Sequence, residues 1–194
     1  MKVLLLNGSR REHQVTCMAL NLVAEELNAA GIETEIVYVG LNAVNGNLNA
    51  LVKEVAEKCK EIDGLVIGAP VYYASPTGEI QVFLDRLFGV AREDLVHKPC
   101  AVLTSARRGG TAASLDVLAK YPGISEMPLV SSSYWNMIFG NTPEEAKQDA
   151  EGVFTMRTLG RNMAWLLQCI EAGKKAGIPV PAMAEPTKTN FIRQ

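Results

Sequence analysis

Histidine, cysteine and excess charge are all scarce in this chain of 194 residues, and each shortage excludes something. The four cysteines, Cys17, Cys59, Cys100 and Cys169, lie more than forty residues apart. With no CxxC pair, no zinc or iron–sulfur site is expected, and each reads as a small apolar residue on a buried face. His13 and His97 stand alone; His13 lies beside a candidate anion site, whereas His97 reads as a surface loop residue. A formal net charge of -2 offers no general attraction to nucleic acid or to an anionic membrane. The aliphatic run Val3 to Leu6 is too short for a signal-peptide core or a spanning helix, so a cytoplasmic location is expected. Internal repeats and low-complexity segments are absent from the sequence as well.

What is present is an ordinary globular mixture, 48% hydrophobic and 21% charged, long enough for one well-buried core. A single domain over residues 1–194 is expected, with a proline-containing tail from about 176 on the surface or against a partner subunit.

Lys2 to Asn7 is a continuous aliphatic run closed by a turn residue, which predicts a strand buried on both faces. Val15, Met18, Ala19, Leu22, Val23 and Leu27 recur every three or four residues and predict an amphipathic helix from Thr16 to about Ala30, stopped by Gly31. Ile32 to Val39 alternates as an edge strand does, Leu51 to Ile62 reads as a second helix, and GLVIGAP as a central strand entering a proline turn. Ile80, Phe83, Leu84 and Leu87 share one face of a helix from about Glu79 to Phe88. Cys100 to Ser105 is another buried strand, Thr111 to Lys120 a shorter helix, and Met127 to Ser132 a fifth strand. A long last helix falls between Pro143 and Ala172. This alternation predicts an α/β three-layer sandwich around a five-stranded parallel sheet of order 2-1-3-4-5. In such a sheet, ligands bind beyond the carboxyl ends of the strands, where the strand order reverses.

Three loops leave those ends: GSRREHQVT, APVYYASPTGE and SARRGGT. The first enters a helix N-terminus, where unpaired backbone N–H groups and the helix dipole favour an anion. Ser9 and Thr16 add hydroxyl donors, and Arg10 or Arg11 a charge-assisted bond. The spacing is neither GxxxxGK[ST] nor GxGxxG, so a phosphate monoester fits better than an extended dinucleotide. The second loop sets Tyr72 and Tyr73 between prolines, as a wall for a planar ring. In the third loop, Gly109 and Gly110 let backbone N–H groups approach a ligand edge beside Arg107 and Arg108. Phosphate end, ring wall and edge donors are the parts that flavin mononucleotide needs.

With those residues in view, the chain resembles the NADPH-dependent FMN reductase and iron–sulfur flavoprotein group of flavodoxin-like proteins, from Met1 to about residue 175. The group's first-loop pattern GSxRxxxxT is matched by Gly8, Ser9, Arg11 and Thr16. Its pattern GxPVYxxSxxGxxKxFxDR is matched by Gly68, Pro70, Val71, Tyr72, Ser75, Gly78, Phe83, Asp85 and Arg86, with Gln81 where Lys is usual. Ser105, Arg107, Gly109 and Gly110 resemble the group's glycine-rich turn near the ring.

The resemblance implies a flavodoxin-like fold and FMN as cofactor. It places Ser9, Arg11, Gln14, Val15 and Thr16 at the phosphate, and Pro70, Val71, Tyr72, Tyr73 and Ser75 along the ribityl chain and ring. It further implies a homodimer or homotetramer in which Trp135 and Phe139 of SSSYWNMIFG cover the flavin of a neighbouring subunit, with the helix around Gly160, Arg161, Asn162 and Trp165 in the same assembly surface. Iron–sulfur members carry a compact cysteine motif after the second strand; here that segment, GLNAVNGNLN, has no cysteine, and its asparagines are expected to serve turns and a helix cap.

The implied activity is an FMN-dependent oxidoreductase taking a hydride from NAD(P)H and reducing a quinone, a flavin or another small acceptor. The flavin's N5 carries the hydride in this chemistry, so no catalytic side chain is expected beyond an electrostatic role for Arg107. The alternatives are a flavodoxin-like electron carrier, or an FMN-binding protein with little turnover. The chain lacks the strong acidity and TGxT-type phosphate loop of true flavodoxins.

Overall fold

The computed structural model describes residues 1–182, Thr189 and Phe191. β1 (Lys2–Asn7), β3 (Gly64–Tyr72) and β5 (Cys100–Ala106) form the middle of a parallel sheet, because their apolar runs can be covered on both faces. β2 (Glu33–Tyr38) pairs only with β1 and keeps a polar exposed side, as its alternating sequence requires. β4 (Ser75–Pro76) is a two-residue antiparallel hairpin arm on β3, and β6 (Met137–Phe139) closes the other edge. The path β2-β1-β3-β5-β6 is the predicted 2-1-3-4-5 order once the hairpin arm is set aside.

Alternate residues of each strand feed two cores. Val3, Leu5, Val66 and Leu103 meet α1 (Val15–Ala29) and α6 (Ala150–Lys175). Leu4, Leu6, Ile67 and Val102 meet α2 (Leu48–Glu61), α3 (Gly78–Leu95) and α4 (Thr111–Gly123).

The fifth strand is not at Met127 to Ser132. There the chain makes one isolated bridge, Leu129 with Cys100, and then leaves the sheet. Pro128 has no N–H to extend a ladder. Further on, the Asn136 side chain, and not a strand backbone, donates to the Val102 carbonyl at 2.9 Å. Backbone pairing with β5 resumes only at Thr104, opposite Met137. The last helical region is also divided: the one-turn α5 (Pro143–Ala146) precedes α6, whose start is capped by Asp149 accepting from the Gly152 N–H at 2.9 Å.

α1 and α6 approach closely at Gly160, where an added Cβ would lie 2.8 Å from both the Val23 carbonyl oxygen and the Glu26 Cβ. Beside it, Arg157 and Arg161 both bind Glu26, at 2.9 Å each. Those bonds, Arg161's first, hold the Glu26 carboxyl below its usual value. A depressed carboxylate stabilises the fold above its unfolded pKa, and that contribution is lost as pH falls through the folded value. Gly160 and Arg161 therefore serve a contact within the chain. Asn162 donates to the Ser131 carbonyl, and Trp165 remains 67% exposed.

Of the tail, Pro181 brings its carbonyl 3.2 Å from His97 Nε2. Residues 183–188, 190 and 192–194, expected on the surface or against a partner, lie outside the described residues. Gly160→Val is expected to lower stability by about 1 to 3 kcal/mol through overpacking, read from the urea midpoint; an unchanged midpoint would show that α6 yields at no cost.

Candidate functional site

The chain passes from β1 to β2 on one side and later from β1's other neighbour, β3, to β5, so the strand order reverses between β1 and β3. Beyond those carboxyl ends lies a cleft of about 160 Å³. The first loop contributes Ser9, Arg11, Gln14, Val15 and Thr16, the end of β3 contributes Pro70, Val71 and Tyr72, and the end of β5 contributes Ser105, Ala106 and Arg107.

Three carbonyls of the first loop are each held by a side-chain donor. Thr77 Oγ1 donates to the Gly8 carbonyl at 2.7 Å, Tyr38 Oη to the Arg10 carbonyl at 2.9 Å, and Asn7 Nδ2 to the Glu12 carbonyl at 2.8 Å. The Ser9 N–H is spent on Asn7 Oδ1 and the Arg11 N–H on Ser9 Oγ. α1 then begins with no side-chain cap and no acidic residue in its first turn, so its leading N–H groups and dipole are left uncompensated. Such a donor set fits a phosphate.

The two neighbouring arginines divide the work. Arg10 is committed to Glu79 of α3 at 3.0 Å, whereas the exposed Arg11 guanidinium has no ion-pair partner among the described residues and lines the cleft. Thr16 Oγ1 and Ser105 Oγ are 2.7 Å apart and buried, which ties the first loop to the third. His13 points out of this cleft, with its side chain 84% exposed.

The second and third loops brace one another. Tyr73 and Ala74 form the turn between β3 and β4 with φ of 52° and 57°. That two-residue geometry favours Asn-Gly and costs about 1–2 kcal/mol per residue for side chains such as these. The Ala74 backbone rests on Gly110, whose φ is 92° and whose added Cβ would lie 2.8 Å from Ala74 Cα. Gln81 explains its departure from the usual Lys: its amide donates to Ser75 Oγ at 3.2 Å and to the Pro76 carbonyl at 2.8 Å, locking the hairpin.

Ten of the fourteen expected contact residues thus line the cleft, and Tyr73, Ser75, Gly109 and Gly110 stand outside its wall. Tyr73 is fully exposed at the hairpin tip, Ser75 is bonded to Gln81, and the two glycines form the turn beneath the hairpin. Gly140 and Asn141, just past β6, also line the cleft and were not foreseen. The misplaced fifth strand hid them, since the loop beyond its true end is the signal that finds them.

Among the described residues, no three His, Cys, Asp or Glu side chains gather as a metal site would need. Burial pushes the Cys59 thiol up to about 12 and raises Cys100 and Cys17, whereas Cys169, expected on a buried face, lies exposed on α6. Of the loop asparagines, Asn42 and Asn45 stabilise the turn after β2, while Asn47 starts α2 without a side-chain cap bond.

Tyr38→Phe removes the donor that holds the Arg10 carbonyl and loosens the first loop. FMN affinity is expected to fall about 5- to 30-fold, for a bond worth about 1 to 2 kcal/mol. Flavin-fluorescence titration checks this, and wild-type affinity would show that the tether does not shape the loop.

Similarity to known proteins agrees with this geometry. The chain is 28% identical over 197 residues to an iron–sulfur flavoprotein of Methanocaldococcus jannaschii, covering 88% of this chain and 100% of that one. It is 29% identical over 148 residues to an iron–sulfur flavoprotein of Archaeoglobus fulgidus, covering 66% and 72%. Among solved structures, RosB with bound 8-demethyl-8-formylriboflavin-5'-phosphate aligns with a TM-score of 0.71 at 19% identity, over 100% of this chain and 94% of that one. FerB, an NAD(P)H:acceptor oxidoreductase of Paracoccus denitrificans, aligns with a TM-score of 0.66 at 14% identity, over 87% and 97%. These two share the flavodoxin-like fold. The family model for NADPH-dependent FMN reductases matches residues 1–142, from β1 to just beyond the end of β6, and the chain belongs to that family.

Proposed function

We propose that this chain is a single-domain FMN-dependent oxidoreductase that takes a hydride from NAD(P)H and reduces a quinone, a flavin or another small acceptor. The observation that carries the reading is the first loop: three carbonyls occupied by Thr77, Tyr38 and Asn7, and an uncapped helix behind it. Family membership supports the FMN-dependent redox class.

Ser9, Arg11, Gln14, Val15 and Thr16 hold the phosphate in this reading. Pro70, Val71 and Tyr72 flank the ribityl chain and ring, with Tyr73 and Ser75 shaping the hairpin beside them. Ser105, Arg107, Gly109 and Gly110 face the pyrimidine edge, where the exposed Arg107 guanidinium favours negative charge on the reduced ring. Bound FMN supplies the hydride chemistry, so the chain's part is to position, to bind and to exclude water.

At about 160 Å³ the cleft encloses a phosphate and ribityl end rather than a whole flavin. Drug-sized ligands occupy roughly 300–1,000 Å³. Tyr72, 40% exposed, stands at the open mouth. A second copy would cover the ring there, in a dimer or tetramer. Trp135, 61% exposed and packed 5.1 Å from Tyr134, and Phe139, 37% exposed at the end of β6, are the side chains available to do so. No helix among the described residues is long and apolar enough to cross a membrane.

The purified protein is expected to be yellow or to take up FMN, and, once loaded, to oxidise NADPH with benzoquinone as acceptor. A loaded protein without turnover would overturn the enzyme assignment. Arg11→Ala is expected to weaken FMN about 10- to 150-fold, the equivalent of one charge-assisted bond, and to leave riboflavin nearly unchanged. Equal losses for both flavins would remove Arg11 from the phosphate.

A further inference from the structure

A cavity of about 610 Å³ lies at the opposite end of the sheet from the flavin cleft. Met1, Asp63 and Pro99, which line it, stand just before β1, β3 and β5, so it opens at the amino ends of the strands. Its volume falls within the roughly 300–1,000 Å³ of small-molecule sites. The walls are mainly apolar: Val96 after α3, Leu166, Leu167 and Ile170 of α6, and Ile178 and Val180 of the segment that follows α6.

That last segment runs along the cavity as a strap with both ends fixed. At one end the chain reverses after α6, where the Ile178 N–H bonds the Gly173 carbonyl and the Gly177 N–H the Lys174 carbonyl, each at 3.0 Å. At the other, the Pro181 carbonyl accepts from His97 Nε2 at 3.2 Å, which selects the tautomer with its proton on Nε2. His97 holds the strap from a strained position. The turn from Leu95 to Lys98 is closed by the Lys98 N–H on the Leu95 carbonyl at 3.1 Å, with Val96 at φ -50° and ψ 133° and His97 at φ 63°. This is a type II turn, whose third residue favours glycine. The His97 N–H in turn bonds the carbonyl of Glu126, itself at φ 56°. Four non-glycine residues among the described ones have left-handed backbone: Tyr73 and Ala74 beside the flavin cleft, and His97 and Glu126 here. Strain of this kind gathers at ligand sites.

The charged groups that line the cavity cancel, Asp63 and Glu171 against Lys98 and Lys174. Three of the four are already engaged. Asp63 Oδ2 accepts from the Lys2 N–H at 2.9 Å, Lys98 Nζ donates to the Cys59 carbonyl near the end of α2 at 2.7 Å, and Glu171 pairs with Lys175 at 3.3 Å. Burial pushes the Lys98 ammonium below its ordinary value, as poorly hydrated surroundings do. We propose that this cavity is a second ligand site, which takes an uncharged, apolar, ring-sized compound beside the Ile178–Pro181 strap that His97 holds. A charged ligand would upset the balance of the lining and lose its hydration among apolar walls. The sheet stands between this cavity and the flavin cleft, so its occupant is not the hydride acceptor, and the proposal does not depend on the flavin reading.

The test titrates two matched probes, neutral 2-naphthol and anionic 2-naphthalenesulfonate, into the full chain by calorimetry, with and without saturating FMN. Wild type is expected to bind 2-naphthol at one saturable site, to bind the sulfonate about tenfold more weakly, and to show no displacement by FMN. Ile170 is half-buried and lines the cavity, so Ile170→Trp fills the space from its rim and should abolish binding. His97→Gly keeps the turn and removes the bond to the strap; it should weaken 2-naphthol about 3- to 10-fold, the scale of one neutral hydrogen bond. Both variants are expected to keep the wild-type circular dichroism spectrum, so that lost binding reports the cavity and not the fold. No saturable binding to wild type, equal affinity for the two probes, displacement by FMN, or a substitution that leaves binding untouched would each overturn the proposal. Tighter 2-naphthol binding after removal of residues 183–194 would assign the cavity to the chain's own tail and overturn it as well.

Discussion

Three carbonyl groups in the loop after β1 are held by side-chain donors, and the shape of the loop depends on those bonds. A carbonyl released from its donor could set a negative dipole against the proposed anion. The side chains that restrain them come from three places: Asn7 at the end of β1, Tyr38 at the end of β2, and Thr77 just before α3. They surround the loop because β2 and β3 flank β1, with Asn7 opposite Tyr38 on one side and Gly68 on the other. Sheet order and register are therefore part of the binding chemistry. A slip of one residue would send the Tyr38 side chain to the opposite face of the sheet.

The rest of the structure stabilises that arrangement. Two separate cores press on the sheet, and α6 closes one of them by meeting α1 at Gly160 and Glu26. α1 is the helix whose uncapped start is the proposed anion site, so the contact that secures the fold also fixes the direction of that helix. The exposed parts of the Glu26 network contribute modestly, as surface ion pairs do. Close packing at Gly160 has the larger share. On the other side of the cleft, the hairpin keeps Tyr73 and Ala74 in left-handed backbone conformations and is secured by Gln81 and Gly110. Local strain next to a binding cleft is tolerated when its surroundings over-determine it.

Charge is distributed to the same end. The chain carries a net -2, yet the cleft gathers Arg11, Arg107 and the start of α1. Arg10, next in sequence to Arg11, is withdrawn to Glu79, so adjacent identical residues have different work.

Strand positions and the sheet's parallel order were legible in the sequence, because continuous aliphatic runs such as Val3 to Leu6 can be buried only with helices on both faces. The loop residues Ser9, Arg11 and Thr16, and the PVYY turn, were legible for the same local reason: a strand end followed at once by a helix start dictates what the loop can bind. The fifth strand was not, since its segment leaves the sheet after Leu129 and returns at Met137 with a side-chain amide filling the gap. Nothing in the apolar pattern of Met127 to Ser132 records that detour. By itself the sequence determined the fold class, the candidate anion-binding loop and the three converging loops, all of which follow from short-range patterning. Only the tertiary structure decided which arginine is available, which side chains hold the loop carbonyls, and that Gly140 and Asn141 adjoin the cleft. Those facts depend on residues far apart in sequence and brought together by packing, which periodicity and spacing do not encode.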